Sequence, residues 1–489
     1  MKQLLMILLL LTAGISYAQK DKKLTDQTVN QASIAAHLKF LSSDALEGRD
    51  TPSKGLEVAA EYLRTQLELY GVKPFDEYPD YFQTVNMKKV IKPNQGVISF
   101  DSSQFELEKD FLLLNGSNID LSKQVVSLEY ATPEEIEAAD VKGKIIVATA
   151  GDGTDMSPRA WFGLVAEKRE AAKAAGALAL IELYNSPQIP WSLLVRYLSG
   201  KRVELDYGQE EDDFTSIWVN NANQSNSPAF TKVKRLSINI SGASVERFDV
   251  ANIVGYVEGS DAKLKEEYVV YSAHYDHVGI GQPDSTGDAI YNGARDNAIG
   301  TVTVLEAAKN IGKYPTKRSA LFIFFAGEEK GLLGSEWYVE HSAVPLNEIV
   351  YCFNSDGGGY NNTNLATVIG LDRTTAEELL IEAIEAYGLK AGDDENYKDQ
   401  GLFDRSDNVS FAKKGIPAPT FTPGMDAFDD SIFKYYHQPS DEFESLDMDY
   451  MYTFYRAYVL SGRMIGNMKE TPFWKEGDKY YDVGKKLYK

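Results

Sequence analysis

The sequence predicts an α/β protein with a mixed, largely parallel central sheet flanked by helices, interrupted by an inserted β-rich module. Three observations predict it. From Val250 onward, short apolar runs alternate with helical segments, the pattern of strands joined by crossover helices. Residues 124–240 carry a separate strand and helix order of their own. The 489 residues, at roughly 100 to 200 per domain, leave room for two or three domains. Hydrophobic content of 43% and charged content of 25% are those of a globular chain rather than a disordered one.

Taken in order, Met1-Lys2, the apolar run Leu4 to Leu11 and the small-x-small step Ser16-Tyr17-Ala18 read as a signal peptide over residues 1–18. A spanning helix needs about 20 apolar residues, and the polar run Gln19 to Lys23 arrives too soon. The expectation is an exported protein, periplasmic or secreted, with no membrane span in its mature form. Its single cysteine, Cys352, excludes an internal disulfide. Ile34, Leu38 and Leu41, then Val58, Ala59, Leu63, Leu67 and Tyr70, recur at helical steps up to the Gly71 cap, on either side of the loop Ser42 to Arg49. Turn-rich strands follow from about Pro79 to Ser127. These place an N-terminal part of the larger domain at 30–110, an insert at 111–245, the main part at 246–470 and a C-terminal tail at 471–489.

Within the insert, Gln124–Tyr130, Lys144–Ala150, Ala177–Leu183 and Arg235–Ile240 read as strands and Trp161–Ala175 as a helix. Beyond it, strands are expected at Asn252–Val257, Tyr268–Ala273, Ala320–Phe325, Ile349–Phe353 and Pro417–Thr422. Helices are expected at Ala298–Ile311, Leu332–His341, Thr374–Tyr387 and about Tyr450–Ile465. Ligands of such folds bind beyond the carboxyl ends of the strands, so the residues there matter most.

Three of those strands end in His274-Tyr275-Asp276-His277, in Ala326-Gly327-Glu328-Glu329 and in Ser355-Asp356-Gly357. Asp296 precedes a helix and His437 lies in Tyr436-His437-Gln438-Pro439-Ser440-Asp441. Singly, each is ordinary: an aspartate before a helix is normally an N-cap. Jointly they supply two imidazoles and three carboxylates beside a further glutamate, a donor set suited to zinc. A carboxylate placed between two ions can bridge them, the arrangement of two-metal hydrolases. The net charge of −22 makes nucleic acid an unsuitable partner. Neither a Gly-x-Ser-x-Gly elbow nor a His-Glu-x-x-His helix occurs.

The order His-x-Asp, Asp-Asn, Glu-Glu, Asp and Tyr-His-x-Pro-x-Asp resembles the two-zinc aminopeptidases of metallopeptidase family 28 (clan MH). Leu41 to Arg49, Ser272 to Gly279, Phe325 to Glu329 and Arg405-Ser406-Asp407 through Ala418 extend the likeness over about residues 30–75 and 250–465. Asp140 to Val147 and Lys173 to Ala177 resemble a protease-associated (PA) domain, a module also found inserted in this group. The resemblance implies an aminopeptidase acting on peptides, with two zinc ions. It implies His274 and Asp356 on one ion, Glu329 and His437 on the other, and Asp296 bridging. It further implies Glu328 as general base, Tyr436 as oxyanion donor and Asp276 as the hydrogen-bond acceptor that fixes the His274 tautomer. Glu328 and Asp356 would hold the substrate amine, and the PA-like insert would limit substrate size.

The chain departs from the family pattern at Asn408, where histidine is frequent, and at Ile299, where serine is frequent. Arg295 reads as a solvated charge or a substrate contact, His277 as structural because strand side chains alternate, and Cys352 as inert core; His37 and His341 lie in helical stretches. Other readings stay open: a one-zinc glutaminyl cyclase-like enzyme, a carboxypeptidase, which would need an arginine cluster, or a non-catalytic peptidase-like binding protein.

Overall fold

A computed structural model describes residues 19–154, 158–186, 188–222, 226–230 and 232–489. The expected signal peptide, 1–18, lies outside the described residues. The chain divides into two compact units, one of residues up to Val85 together with Asp249–Lys489, the other Asn86–Phe248.

The centre of the first unit is the strand Tyr268–His274, which pairs in parallel with Ser319–Phe325 on one side and Ile349–Ser355 on the other. All seven residues of each flanking strand are buried, which is why they read as continuous apolar runs rather than alternating ones. The sheet extends beyond Ile349–Ser355 through Thr420–Pro423, Leu365–Ile369 and Lys390–Gly392, and beyond Ser319–Phe325 to Ser244–Val257. Leu365–Ile369 and Ser244–Val257 run antiparallel to their inner neighbours, so the sheet is mixed with a parallel middle. The register sets His274 beside Phe325, so the Ala326 to Glu329 turn leaves the sheet next to that histidine.

Alternate side chains feed two cores. Val269, Tyr271 and Ala273 pack with Leu38, Leu63, Val302 and Val459 from helices on one face. Val270, with Ile323 and Cys352, packs with Tyr338, Phe411 and Trp474 on the other. Cys352 is buried and free, as expected of an inert core thiol. Helix Met448–Asn467 approaches its strand closely at Gly462, where an added Cβ would stand 2.4 Å from the Tyr271 ring. The segment expected as a tail is instead packed structure: Trp474 is buried, its Nε1 donates to the Gly415 carbonyl at 2.9 Å, and Tyr481–Leu487 forms a helix.

In the second unit an eight-stranded sheet runs Ser103–Glu106, Gln95–Phe100, Arg235–Ser241, Ile119–Ser127, Ile145–Thr149, Ala179–Tyr184, Thr215–Asn220, Phe111–Asn115. Its four strands from Ile119–Ser127 to Thr215–Asn220 are parallel. The unit begins at Asn86 rather than at the expected residue 111. The physical reason is strand pairing: Gln95–Phe100 bonds to Arg235–Ser241, so it belongs with the insert.

Candidate metal centre

Each strand end delivers one part of the site. His274 closes its strand with the imidazole Nδ1 3.2 Å from the Asp276 carbonyl. A carbonyl can only accept, so Nδ1 carries the proton and Nε2 is left as a lone-pair donor. The Asp276 backbone thus fixes the tautomer, and its carboxylate stands 3.7 Å from the same nitrogen. That carboxylate accepts from the Thr51 hydroxyl at 3.0 Å and the Glu328 amide at 3.2 Å, and so ties the His274 strand end to the Glu328 turn. Gly327, at φ 73, makes the sharp exit from the neighbouring strand that a side chain would strain.

His274 Nε2 lies 3.3 Å from Asp356 Oδ1 and 3.4 Å from Asp296 Oδ1. His437 Nε2 lies 3.2 Å from Asp296 Oδ2 and 3.2 Å from Glu329 Oε2. The two oxygens of Asp296 therefore face different imidazoles. Zinc ligands at about 2.0 to 2.2 Å in a tetrahedron stand roughly 3.3 Å from one another, so donors at these separations could share a zinc ion. Asp296 does not cap the helix that follows it; it sits in a kinked turn, Ala294–Ile299. That turn is held by Asp441, whose carboxylate accepts from the Arg295 amide at 2.9 Å and the Asp296 amide at 3.2 Å. Arg295 is no solvated charge: it is 3% exposed, bonded to Asp441 at 3.0 Å and stacked 3.7 Å from the Tyr435 ring centroid.

His277, expected to be merely structural, also reaches the centre, with Nδ1 2.8 Å from Glu329 Oε1 and 3.9 Å from Asp296 Oδ2. It can hydrogen-bond the Glu329 carboxylate or itself belong to the donor group His277, Asp296, Glu329 and His437. The alternation that turned it away holds only inside a strand, and the strand ends at His274. The second donor group is His274, Glu328 and Asp356. Glu328 Oε2 is 4.0 Å from His274 Nε2, set back from the tetrahedral edges. His437 stacks on Tyr436 at 4.1 Å between ring centroids. His37 bonds Tyr62 and Tyr70, and His341 stacks on Trp337, so neither joins the centre.

Residues 252–460 match the profile described as Peptidase family M28. This segment is similar to peptidase family M28. Aminopeptidase YwaD of Bacillus subtilis is 30% identical over 317 residues, which is 64% of this chain and 60% of YwaD. A probable leucine aminopeptidase of Arthroderma otae is 31% identical over 153 residues, 29% of this chain and 39% of that protein. The chain thus spans 60% or less of the length of either relative. Among solved structures, an aminopeptidase from Aneurinibacillus sp. strain AM-1 shares the fold, with a TM-score of 0.54 at 18% identity over 92% of this chain and 97% of that one.

The adjacent glutamates of the M28 segment are driven apart. Burial, with Asp356, Asp407 and Glu329 nearby, pushes the Glu328 carboxyl well above the usual range despite the opposing charge of His274. Burial acts on Glu329 too, but hydrogen bonds from His277 and His437 outweigh it and hold that carboxyl far below the range. Pairs of titratable groups separated this way mark different chemical roles, a proton carrier and a permanently ionised donor. Burial raises the Tyr436 phenol, which keeps its proton and remains a hydrogen-bond donor. A cavity opens from these groups between Ile369, Leu402, Met425, Phe428, Ile432 and Arg405.

Proposed function

We propose that this protein is an exported zinc-dependent aminopeptidase that hydrolyses N-terminal residues from peptides. The observation that carries the reading is the single carboxylate, Asp296, facing His274 with one oxygen and His437 with the other, beside a buried Glu328. In this reading His274, Asp356 and Asp296 would hold one zinc, and His437, Glu329 and Asp296 would hold the second. Zinc bound there would lower the pKa of water and polarise a carbonyl. Glu328, with its raised carboxyl, accepts a proton from the attacking water and returns it to the leaving amine. The Tyr436 hydroxyl donates to the oxygen that gains charge in the transition state. Asp356 and Glu328 offer anionic partners to the substrate α-amine, and the Asp276 carboxylate holds Glu328 by its backbone.

Both relatives named above are called aminopeptidases, which supports the activity. The apolar wall of Ile369, Met425, Phe428 and Ile432 favours an apolar first residue. The second unit is read as PA-like from Asp140 to Val147 and Lys173 to Ala177.

The test is hydrolysis of a leucyl amide beside its N-acetyl counterpart by the zinc-loaded chain. Cleavage of the free-amine substrate alone is expected. Pyroglutamate formation from an N-terminal glutamine with one zinc per chain would instead indicate a cyclase, and release of C-terminal residues a carboxypeptidase. A folded chain with two zinc ions and no turnover would indicate a peptidase-like binding protein.

A further inference from the structure

Arg49 lies 226 positions from Tyr275 in sequence, yet its side chain is 1% exposed and stands among the backbone segments that carry the candidate ligands. Its Nε donates to the Tyr275 carbonyl at 2.9 Å, Nη1 to the Leu41 and Asn292 carbonyls, the latter at 2.8 Å, and Nη2 to the Gly293 carbonyl at 3.1 Å. One rigid fork of donors therefore measures the gap between the His274–His277 strand end and the Asn292–Asp296 turn. The Arg49 backbone reinforces this, its carbonyl accepting from the His277 amide at 3.1 Å, while the Gly48 carbonyl accepts from Gly279 at 3.1 Å. A Cβ on Gly48 would stand 2.5 Å from the Gly279 and Tyr291 carbonyls, so the loop lies directly on those turns.

The acceptors explain why this is more than a structural staple. None is a carboxylate, so the guanidinium charge is not consumed by a direct ion pair, and it acts through space on Asp276, Asp296, Asp441 and Glu329. Arg318 is the contrast: equally buried, it bonds Glu267 at 2.7 Å and the Met468 carbonyl at 2.6 Å, neither of them a residue of the centre.

We infer that Arg49 is a positioning residue that presets the spacing between the His274 strand end and the Asp296 turn, and thereby sets the metal affinity of the centre. This rests on the two-zinc reading. A lysine keeps the charge but replaces the planar fork with a point donor, so Arg49→Lys separates geometry from charge; Arg49→Gln keeps two donors and removes the charge. Zinc affinity is measured by chelator competition on full-length wild type, R49K, R49Q and the control R318K, each first checked for fold by circular dichroism and melting. The expected result is a zinc affinity lowered about 10- to 100-fold in R49K and more in R49Q, the size of effect seen when groups behind metal ligands are changed. Turnover with zinc should fall in kcat with KM changed less than about threefold, and R318K should bind zinc as wild type does. Folded R49K and R49Q with wild-type zinc affinity would overturn the inference. So would an equal loss in R318K, or failure of both Arg49 variants to fold, either of which assigns Arg49 to general stability. Wild type that binds no zinc would overturn the metal reading itself and this inference with it.

Discussion

Both units bury charge, and they do so differently. In the second unit Lys168 and Glu182 are each 1% exposed, joined at 2.7 Å, with Lys168 also bonded to the Gly151 carbonyl at 2.6 Å and Glu182 to Trp218 Nε1 at 3.1 Å. One cation meets one anion and every partner is supplied by the chain. In the M28 segment Asp296, Glu328, Glu329 and Asp356 converge on His274, His277 and His437, and the buried guanidiniums nearby, Arg49 and Arg295, bond to carbonyls and to Asp441 instead. Buried ions are stable only when compensated. The closed pair is self-sufficient, whereas the convergent carboxylates carry an excess that fits added cations. Surplus charge, not buried charge as such, distinguishes the candidate site from a structural pair.

The largest expected effect separates chemistry from binding inside the surplus. Glu328→Ala should lower kcat about 10²- to 10⁴-fold with zinc content unchanged, read by steady-state kinetics beside elemental analysis; loss of zinc would make Glu328 a ligand and not a base. Next, the closed pair should behave as pure stability. Lys168→Met strands Glu182 in the interior and should cost about 3 to 5 kcal/mol in denaturant unfolding, while zinc affinity of the folded protein stays the same. Adding Glu182→Met should recover most of the loss; a change in zinc affinity would erase the contrast between the units.

A smaller effect is expected at His277. His277→Ala removes the hydrogen bond to Glu329 and should weaken zinc binding about 10- to 100-fold, or roughly 1.4 to 2.7 kcal/mol, by chelator competition. Smallest is the cavity wall: Met425→Ala should reduce kcat/KM for a leucyl substrate by about tenfold or less and leave an alanyl substrate nearly unaffected. Equal losses on both substrates would move Met425 out of the pocket that receives the first residue.

Much of the first unit was legible because its signals are local. Apolar runs such as Ser319–Phe325 are strands whose every residue is buried, and the polar groups that follow them stand where a parallel sheet exposes its ends. The pairing of His274 with Asp356 and of His437 with Glu329 comes from the family resemblance alone; in the structure His274 Nε2 lies 3.3 Å from Asp356 and His437 Nε2 3.2 Å from Glu329. Long-range partners were not legible. Arg295 reads as a surface charge until Asp441, 146 positions away, is placed beside it. Leu365–Ile369 and Lys390–Gly392 are too short to stand out and exist through pairing with each other and with Thr420–Pro423. The insert boundary failed for the same reason, since Gln95–Phe100 is assigned by a partner more than a hundred residues on. His277 reaches the centre because the alternation that would turn it away ends with its strand at His274.

In the proposed function the carboxylate surplus binds two ions through one shared aspartate. The most direct measurement is the number of zinc equivalents bound per chain by wild type and by Asp296→Asn, by equilibrium dialysis with elemental analysis. Two equivalents per wild-type chain and weakening of both in the variant are expected, because each Asp296 oxygen faces a different imidazole. One equivalent or none in wild type, or two undiminished equivalents in Asp296→Asn, would contradict that reading.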